Sequence, residues 1–354
     1  MRGEISINGK KYSPEHINAM VADMPVDMPI HLAEVFRFLA DWYSDSDHIL
    51  QQTSGSTGAP SAIKLLKKNM WHSAQSTNTF FSLSPENNIL LALPAAYIAG
   101  KMMILRALAG SLNLHVVPPS GTPEIPMVNF SFAAFVPMQL ENLLESGIQC
   151  QHIETIILGG AEVSENLIRR IGELSSRVYS TYGMTETCSH IAVRRLNGIN
   201  PDAFYRTLPG VQASIDSAGR ICINAPQYAP KIVHTTDLGI IPEHGMLGVV
   251  GRDDFIINSG GVKINPFLWE KDLQKQIQKM VLLIPVPDKR LGNRAVVIIE
   301  AEETEALRNK VKEIIIHLRK DVPLDREPVF LSEFPRSQSF KVDRKALIKR
   351  FQQT

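Results

Sequence analysis

Residues 153–183 read IETIILGGAEVSENLIRRIGELSSRVYSTYG. The apolar run 153–158 reads as a strand that stops at two glycines. It leads into a helix-like pattern, SENLIRRIGEL, and then into a second strand, RVYSTYG. Strand, helix and strand in that order make a βαβ unit and call for a parallel sheet. Upstream the same alternation repeats. ILLALP (89–94) and NLHVVP (113–118) read as strands around the helix KMMILRALAG, and FAAFVP leads into the helix MQLENLLES. Downstream, shorter strands (RICIN, KIVHTT, LGVVGR) are separated by Gly, Pro and Asp. After Arg252 the pattern changes again. A hairpin, FIINSGGVKI, precedes the helix PFLWEKDLQKQI and the strands VLLIPV and AVVIIEAE. Leu307, Val311, Ile314, Ile315 and Leu318 then share one helical face. A short basic helix, DRKALIKRF, follows. The expected fold is α/β: a large N-terminal domain, 1–251, with a βαβ parallel sheet plus smaller strands, and a small α+β C-terminal domain, 252–354.

Composition narrows the function. The 354 residues are 44% hydrophobic and 21% charged, as in an ordinary globular protein. Lys+Arg number 37 and Asp+Glu 36, so the basic excess of a nucleic-acid binder is absent. Three cysteines, Cys150, Cys188 and Cys222, form no CxxC pair and point to a reducing compartment. The start, MRGEISINGKKYSP, has no apolar signal core, and 89–110 is broken by Pro94, Gly100, Lys101 and Arg106. A cytoplasmic protein without a membrane span is expected.

Several loops carry polar groups suited to a nucleotide. TSGSTG (53–58) offers two glycines, hydroxyls and successive backbone N–H groups that can cradle an anion. It is not a Walker A loop, because no GK[ST] follows. A flexible linker reads the same way. Tyr182-Gly-Met-Thr-Glu follows a strand, where α/β sheets place functional loops. It supplies an aromatic ring, a hydroxyl and a carboxylate suited to a hard cation. Thr235-Thr236-Asp237 could bind ribose hydroxyls, and 251–270 contains the glycine pair 260–261. Taken singly, each has a plain structural alternative as turn, strand end or hairpin.

The order of these segments is what tells. TSGSTG, LGGA (158–161), YGMTE, TTD, GRDD…SGG…INP…E and PRSQSFK (335–341) resemble the motif series of the adenylate-forming acyl-CoA synthetases, from about residue 53 to the C-terminus. The resemblance implies an acid–thiol ligase acting in two steps, with ATP, Mg²⁺ and coenzyme A. It also implies that the C-terminal domain is mobile. Within the family, LPAAYIAGKM, the abbreviated middle and the compact tail point to the branch whose acid is 2-succinylbenzoate. Another aryl or short acyl acid, or a catalytically silent nucleotide- or acyl-CoA-binding relative, are the alternatives.

By this resemblance Thr53, Ser54, Gly55, Ser56, Thr57 and Gly58 hold the β- and γ-phosphates. Gly159, Gly160 and Ala161 line the adenine site, with Tyr182 stacked on the base beside Gly183. Thr185 touches the α-phosphate and Glu186 helps hold Mg²⁺. Asp237 binds the ribose, assisted by Arg252. Asp254 is the hinge, Gly260 and Gly261 line the path of coenzyme A, and Lys341 is the catalytic lysine. For the acid, the candidates are Lys101, Arg106 and His190, with Arg194 nearby; unrelated charges remain the alternative for each. A homo-oligomer is compatible with all of this.

Three features depart from the family pattern. Ser61 stands where the phosphate loop usually has lysine, and Phe340 where a glycine precedes the C-terminal lysine. Only 52 residues precede the phosphate loop, so a simplified acid pocket, or one completed by a partner subunit, is expected.

Overall fold

The computed structural model describes residues 3–52, 62–148, 150–319, 322–337 and 340–352. Strand Ile153–Leu158 exposes only Glu154, because parallel neighbours flank it and helices cover both faces. Phe130–Phe135 and Asn88–Leu91 lie on one side of it, and Arg177–Gly183 on the other. The parallel run continues from Asn88–Leu91 through Asn113–Val116 to Ile5–Ile7. Successive side chains alternate between two apolar layers. Ile89, Leu91, Phe132, Ala134 and Ile157 join a layer containing helices Ile30–Tyr43, Lys67–Phe80 and Ile98–Gly110. Leu90, Ala133, Phe135, Ile156 and Leu158 face the other way, onto Pro137–Glu145 and Glu165–Ile171.

Strand order reverses at Asn88–Leu91. The chain goes from it to Asn113–Val116 on one side and resumes with Phe130–Phe135 on the other. Loops at the carboxyl ends of strands diverge at such a point and leave a crevice. Beyond Arg177–Gly183 the sheet turns antiparallel through His190–Arg195, Tyr205–Thr207, Met246–Arg252, Val233–Ile240, Arg220–Asn224 and Gln212–Ile215, making 13 strands in all. A separate hairpin pairs His48–Gln52 with Ala62–Leu66, Gln52 facing Ala62.

Residues from 257 onward form a second, five-stranded sheet. Strand Val281–Asp288 again alternates. Val281 and Leu283 face helices Pro266–Ile277 and Glu305–Leu318, while Leu282 and Ile284 face Phe334 and helix Arg344–Gln352. The face expected from Leu307 to Leu318 is the one that packs, with Leu307 and Ile314 at its rim. Helix Glu165–Ile171 is shorter than its apolar pattern suggests, and Gly172 is its C-cap. Glycine gives the next turn no side chain to hold it.

No described helix is long and apolar enough to cross a membrane. The 89–110 stretch divides into a strand and helix Ile98–Gly110. Gly100 lets that helix start against the preceding turn: a Cβ there would lie 2.3 Å from the Pro94 carbonyl oxygen. Gly100→Ala is therefore expected to destabilise the fold by about 1–3 kcal/mol through overpacking. Urea unfolding measures this, and an unshifted midpoint would show that the turn yields freely.

Candidate functional site

Two loops that leave the carboxyl ends of the parallel strands carry part of the expected site. After Ile153–Leu158 come Gly159, Gly160 and Ala161. A Cβ on Gly159 would lie 2.9 Å from Thr181 Oγ1, and Gly160 has φ +86°. A Cβ on Gly160 would lie 2.4 Å from Lys341 Cε and 3.1 Å from its Nζ. The C-terminal lysine thus rests flat on the bare backbone of this loop. Loss of water lowers the Lys341 pKa from its ordinary value. Among the described residues no carboxylate lies within ion-pair distance of its ammonium.

Strand Arg177–Gly183 ends in the turn Thr185–Thr187. Gly183 is confined there, since a Cβ would sit 2.3 Å from the Ser189 carbonyl oxygen. Thr187, absent from the sequence reading, is fully buried and closes the turn. Its hydroxyl accepts from Met184 N–H at 3.1 Å and lies 2.8 Å from the Ser189 carbonyl oxygen. Thr185 is half-buried and Glu186 exposed. Among the described residues no group of three or more His, Cys, Asp or Glu is built to hold a metal.

Tyr182 donates its phenolic hydrogen to Asp237 Oδ2 at 2.7 Å. Burial, then the Asp237 charge, raises the phenol's pKa, so it remains a donor. Asp237 faces Arg252 across the strand pair, and Arg252 Nη1 lies 3.3 Å from its Oδ1. The Arg252 fork donates to Asp254 at 2.9 and 3.0 Å, and to Thr236 Oγ1 at 2.7 Å. Tyr182, Asp237, Arg252 and Asp254 therefore form one connected network. Asp254 lies in the turn Asp253–Phe255, between the two sheets. The Phe255 ring receives Arg252 at 5.3 Å and Arg344 at 5.0 Å.

Arg106 and His190 come together from helix Ile98–Gly110 and strand His190–Arg195. Arg106 is 2% exposed and donates to Ser189 Oγ at 2.7 Å and to Met103 Sδ at 3.3 Å. It lies 3.4 Å from His190 Nδ1, while its Nε has no partner among the described residues. Thr77 commits its hydroxyl hydrogen to the Ser73 carbonyl at 3.0 Å, so it accepts from His190 Nε2 at 3.4 Å. This leaves Nδ1 as the acceptor facing Arg106. Burial and the neighbouring guanidinium hold the His190 pKa well below the usual imidazole value. Ser189 and Thr77 carry no sequence signal of their own; they are found only through the fold.

Lys101 is separate from that pair. Its ammonium donates to Gln51 Oε1 at 2.6 Å, near the end of strand His48–Gln52, and sits 5.8 Å from the Phe38 ring centre. Arg194 stacks on Tyr205 at 5.3 Å. Thr53, Ser54, Gly55, Ser56, Thr57, Gly58 and Ser61 lie outside the described residues. Gly260 and Gly261, at φ +57° and +86°, are the two central residues of the hairpin joining Ile257–Ser259 to Val262–Ile264. Two positive φ values in succession make a type I′ turn, which favours glycine. Phe340, at φ +62°, occupies a conformation costing a residue with a Cβ about 1–2 kcal/mol.

Residues 40–250 match the AMP-binding enzyme family. The chain is 30% identical to the acyl-CoA synthetase (AMP-forming)/AMP-acid ligase II-like protein of Dyadobacter fermentans, whose crystal structure it matches over 99% of this chain and 100% of that one, with a TM-score of 0.61. It is 25% identical to 2-succinylbenzoate–CoA ligase of Listeria monocytogenes, covering 88% of this chain and 72% of that protein. The fold also matches o-succinylbenzoate CoA synthetase of Bacillus subtilis, solved with its acyl-adenylate intermediate, at 22% identity and a TM-score of 0.67 over 84% of this chain and 68% of that one. With well over half of its length matched and a full-length structural relative, the chain belongs to the AMP-binding enzyme family and is an AMP-forming acid–CoA ligase.

Proposed function

We propose that the chain is an ATP-dependent 2-succinylbenzoate–CoA ligase of menaquinone biosynthesis. The observation that carries the choice of acid is Arg106: a buried guanidinium with no carboxylate partner among the described residues, beside the turn that holds Thr185. A buried charge needs a partner. 2-Succinylbenzoate has two carboxylates, of which one reacts and one is left to be bound. The names of the relatives favour the same acid.

In this reading residues 1–251 and 252–354 are two domains, with Asp254 as the hinge. In the first step a carboxylate oxygen of the acid attacks the α-phosphorus of ATP. The bond to the β-phosphate oxygen breaks, giving the acyl-adenylate and pyrophosphate. In the second, the coenzyme A sulfur attacks the acyl carbon, the bond to AMP breaks and the thiol proton goes to solvent. The loop 53–58 holds the outer phosphates, Gly159–Ala161 and Tyr182 flank the base, and Asp237 with Arg252 receives the ribose. Thr185 meets the α-phosphate, and Gly260–Gly261 line the path of coenzyme A. A lone exposed carboxylate, Glu186, suits a magnesium ion held mainly by phosphate oxygens. When bound, that ion neutralises phosphate charge. Lys341, stripped of water and free of a carboxylate, supplies a fixed positive charge where negative charge gathers in the first step. Three free, buried cysteines fit a cytoplasmic setting.

Pyrophosphate release over a panel of acids tests the substrate. 2-Succinylbenzoate is expected to turn over best. Arg106→Met should raise its KM by about tenfold or more, as loss of a hydrogen-bonded charge costs roughly 1.5–3 kcal/mol, with little effect on benzoate. Best turnover with benzoate or a fatty acid would remove this acid; no thioester from any acid would favour a silent relative.

Asp237→Ala is expected to weaken ATP binding by about 1.5–3 kcal/mol. Calorimetric titration measures it, and an unchanged dissociation constant would make Asp237 only the anchor of Tyr182 and Arg252. Lys341→Ala is expected to slow adenylation by about 10²–10³-fold, with thioester formation from supplied acyl-adenylate nearly normal. Separate timing of the half-reactions decides; adenylation within a few-fold of the parent would show that another group does this work.

A further inference from the structure

Residues 336–337 and 340–342 lie side by side. Phe340 N–H donates to the Ser337 carbonyl at 2.9 Å, Ser337 N–H donates to the Lys341 carbonyl at 2.8 Å, and Arg336 faces Val342 across an antiparallel bridge. This paired segment is held to the five-stranded sheet. Arg336 donates to Glu300 at 2.6 and 2.9 Å, and Arg344 pairs with the buried Glu270 and donates to the Leu283 carbonyl at 3.2 Å.

Two of its residues reach away from that sheet. The Phe340 side chain packs against the apolar layer of the large sheet, the layer containing Met102, Phe132 and Ile157. Lys341, next in the chain, lies on Gly160 of the same large sheet. An ammonium on a flexible four-carbon stem has little directional hold of its own. Among the described residues no carboxylate holds this one. The ring one residue earlier is a short tether to the same body, and the left-handed backbone at Phe340 lets neighbouring side chains reach two different places.

We propose that Phe340 is a positioning residue for adenylation: its half-buried ring, packed against the apolar layer of the large sheet, sets where the Lys341 ammonium stands. This rests on the reading of Lys341 as the lysine of the first step. Glycine adopts φ +62° without strain, so Phe340→Gly keeps the backbone and removes only the anchor. Phe340→Leu keeps an apolar anchor.

The test is to time both half-reactions, with the acid that turns over best, in the parent, Phe340→Gly, Phe340→Leu and Lys341→Ala enzymes. Phe340→Gly is expected to lose about tenfold to 10²-fold in adenylation kcat, the loss that a shift near 1 Å produces. Its KM for ATP and its rate from supplied acyl-adenylate should stay within a few-fold of the parent, and Phe340→Leu should recover most of the loss. Unchanged adenylation in Phe340→Gly overturns the proposal, as do equal losses in both half-reactions, which would mark a merely structural residue. Normal adenylation in Lys341→Ala instead overturns the reading of the lysine, whatever Phe340→Gly does.

Discussion

A parallel sheet with both faces buried leaves its backbone few exits. Inside it, every N–H and C=O must pair with a neighbouring strand, and every side chain must tolerate an apolar layer. Polar loops are therefore confined to strand ends. Because strand order reverses at Asn88–Leu91, the carboxyl ends of Asn88–Leu91, Phe130–Phe135, Ile153–Leu158 and Arg177–Gly183 open onto one side. The glycine loop, the turn holding Thr185 and Glu186, and the start of helix Ile98–Gly110 all follow from that constraint.

The five-stranded sheet contributes to the same region from outside. Its contacts with the large sheet are small and varied: Lys341 on Gly160, Phe340 on an apolar layer, Asn265 Nδ2 on the Val250 carbonyl at 2.8 Å, and Lys271 near Glu165 at 3.7 Å. Exposed ion pairs of the last kind are individually weak. Contacts of this size can specify one arrangement without making it permanent, which suits an enzyme with two chemically different steps.

Much of the fold was legible in the sequence. The strands from 89 to 183 are regular runs whose periods match their burial, and the face from Leu307 to Leu318 is the face that packs. The first 52 residues were not legible, because Ile5–Ile7 becomes a strand only by pairing with Asn113–Val116, far along the chain. The site divides in the same way. Residues within contiguous motifs, such as Tyr182 and Asp237, could be singled out. Arg106 and His190 stood out as charged or titratable groups near motifs, but their contact spans 84 positions of sequence. Ser189, Thr77 and Thr187 have polar side chains typical of any surface loop, and only the packing reveals their work. Lys101 looked equivalent to Arg106, yet lies apart because five residues along a helix do not share a face.

The neutral state of His190 has a consequence for acid tolerance. In the folded protein the imidazole is kept neutral by lack of water and by the guanidinium beside it. Once the chain unfolds, the same ring regains its ordinary affinity for a proton. Between the lowered folded value and the usual value near 6.5, the unfolded chain therefore binds a proton that the fold refuses. Proton uptake then draws the equilibrium toward the unfolded chain as pH falls through that window, and leaves it untouched above. Acid, not alkali, is the direction in which this buried ring works against the structure it helps to fill.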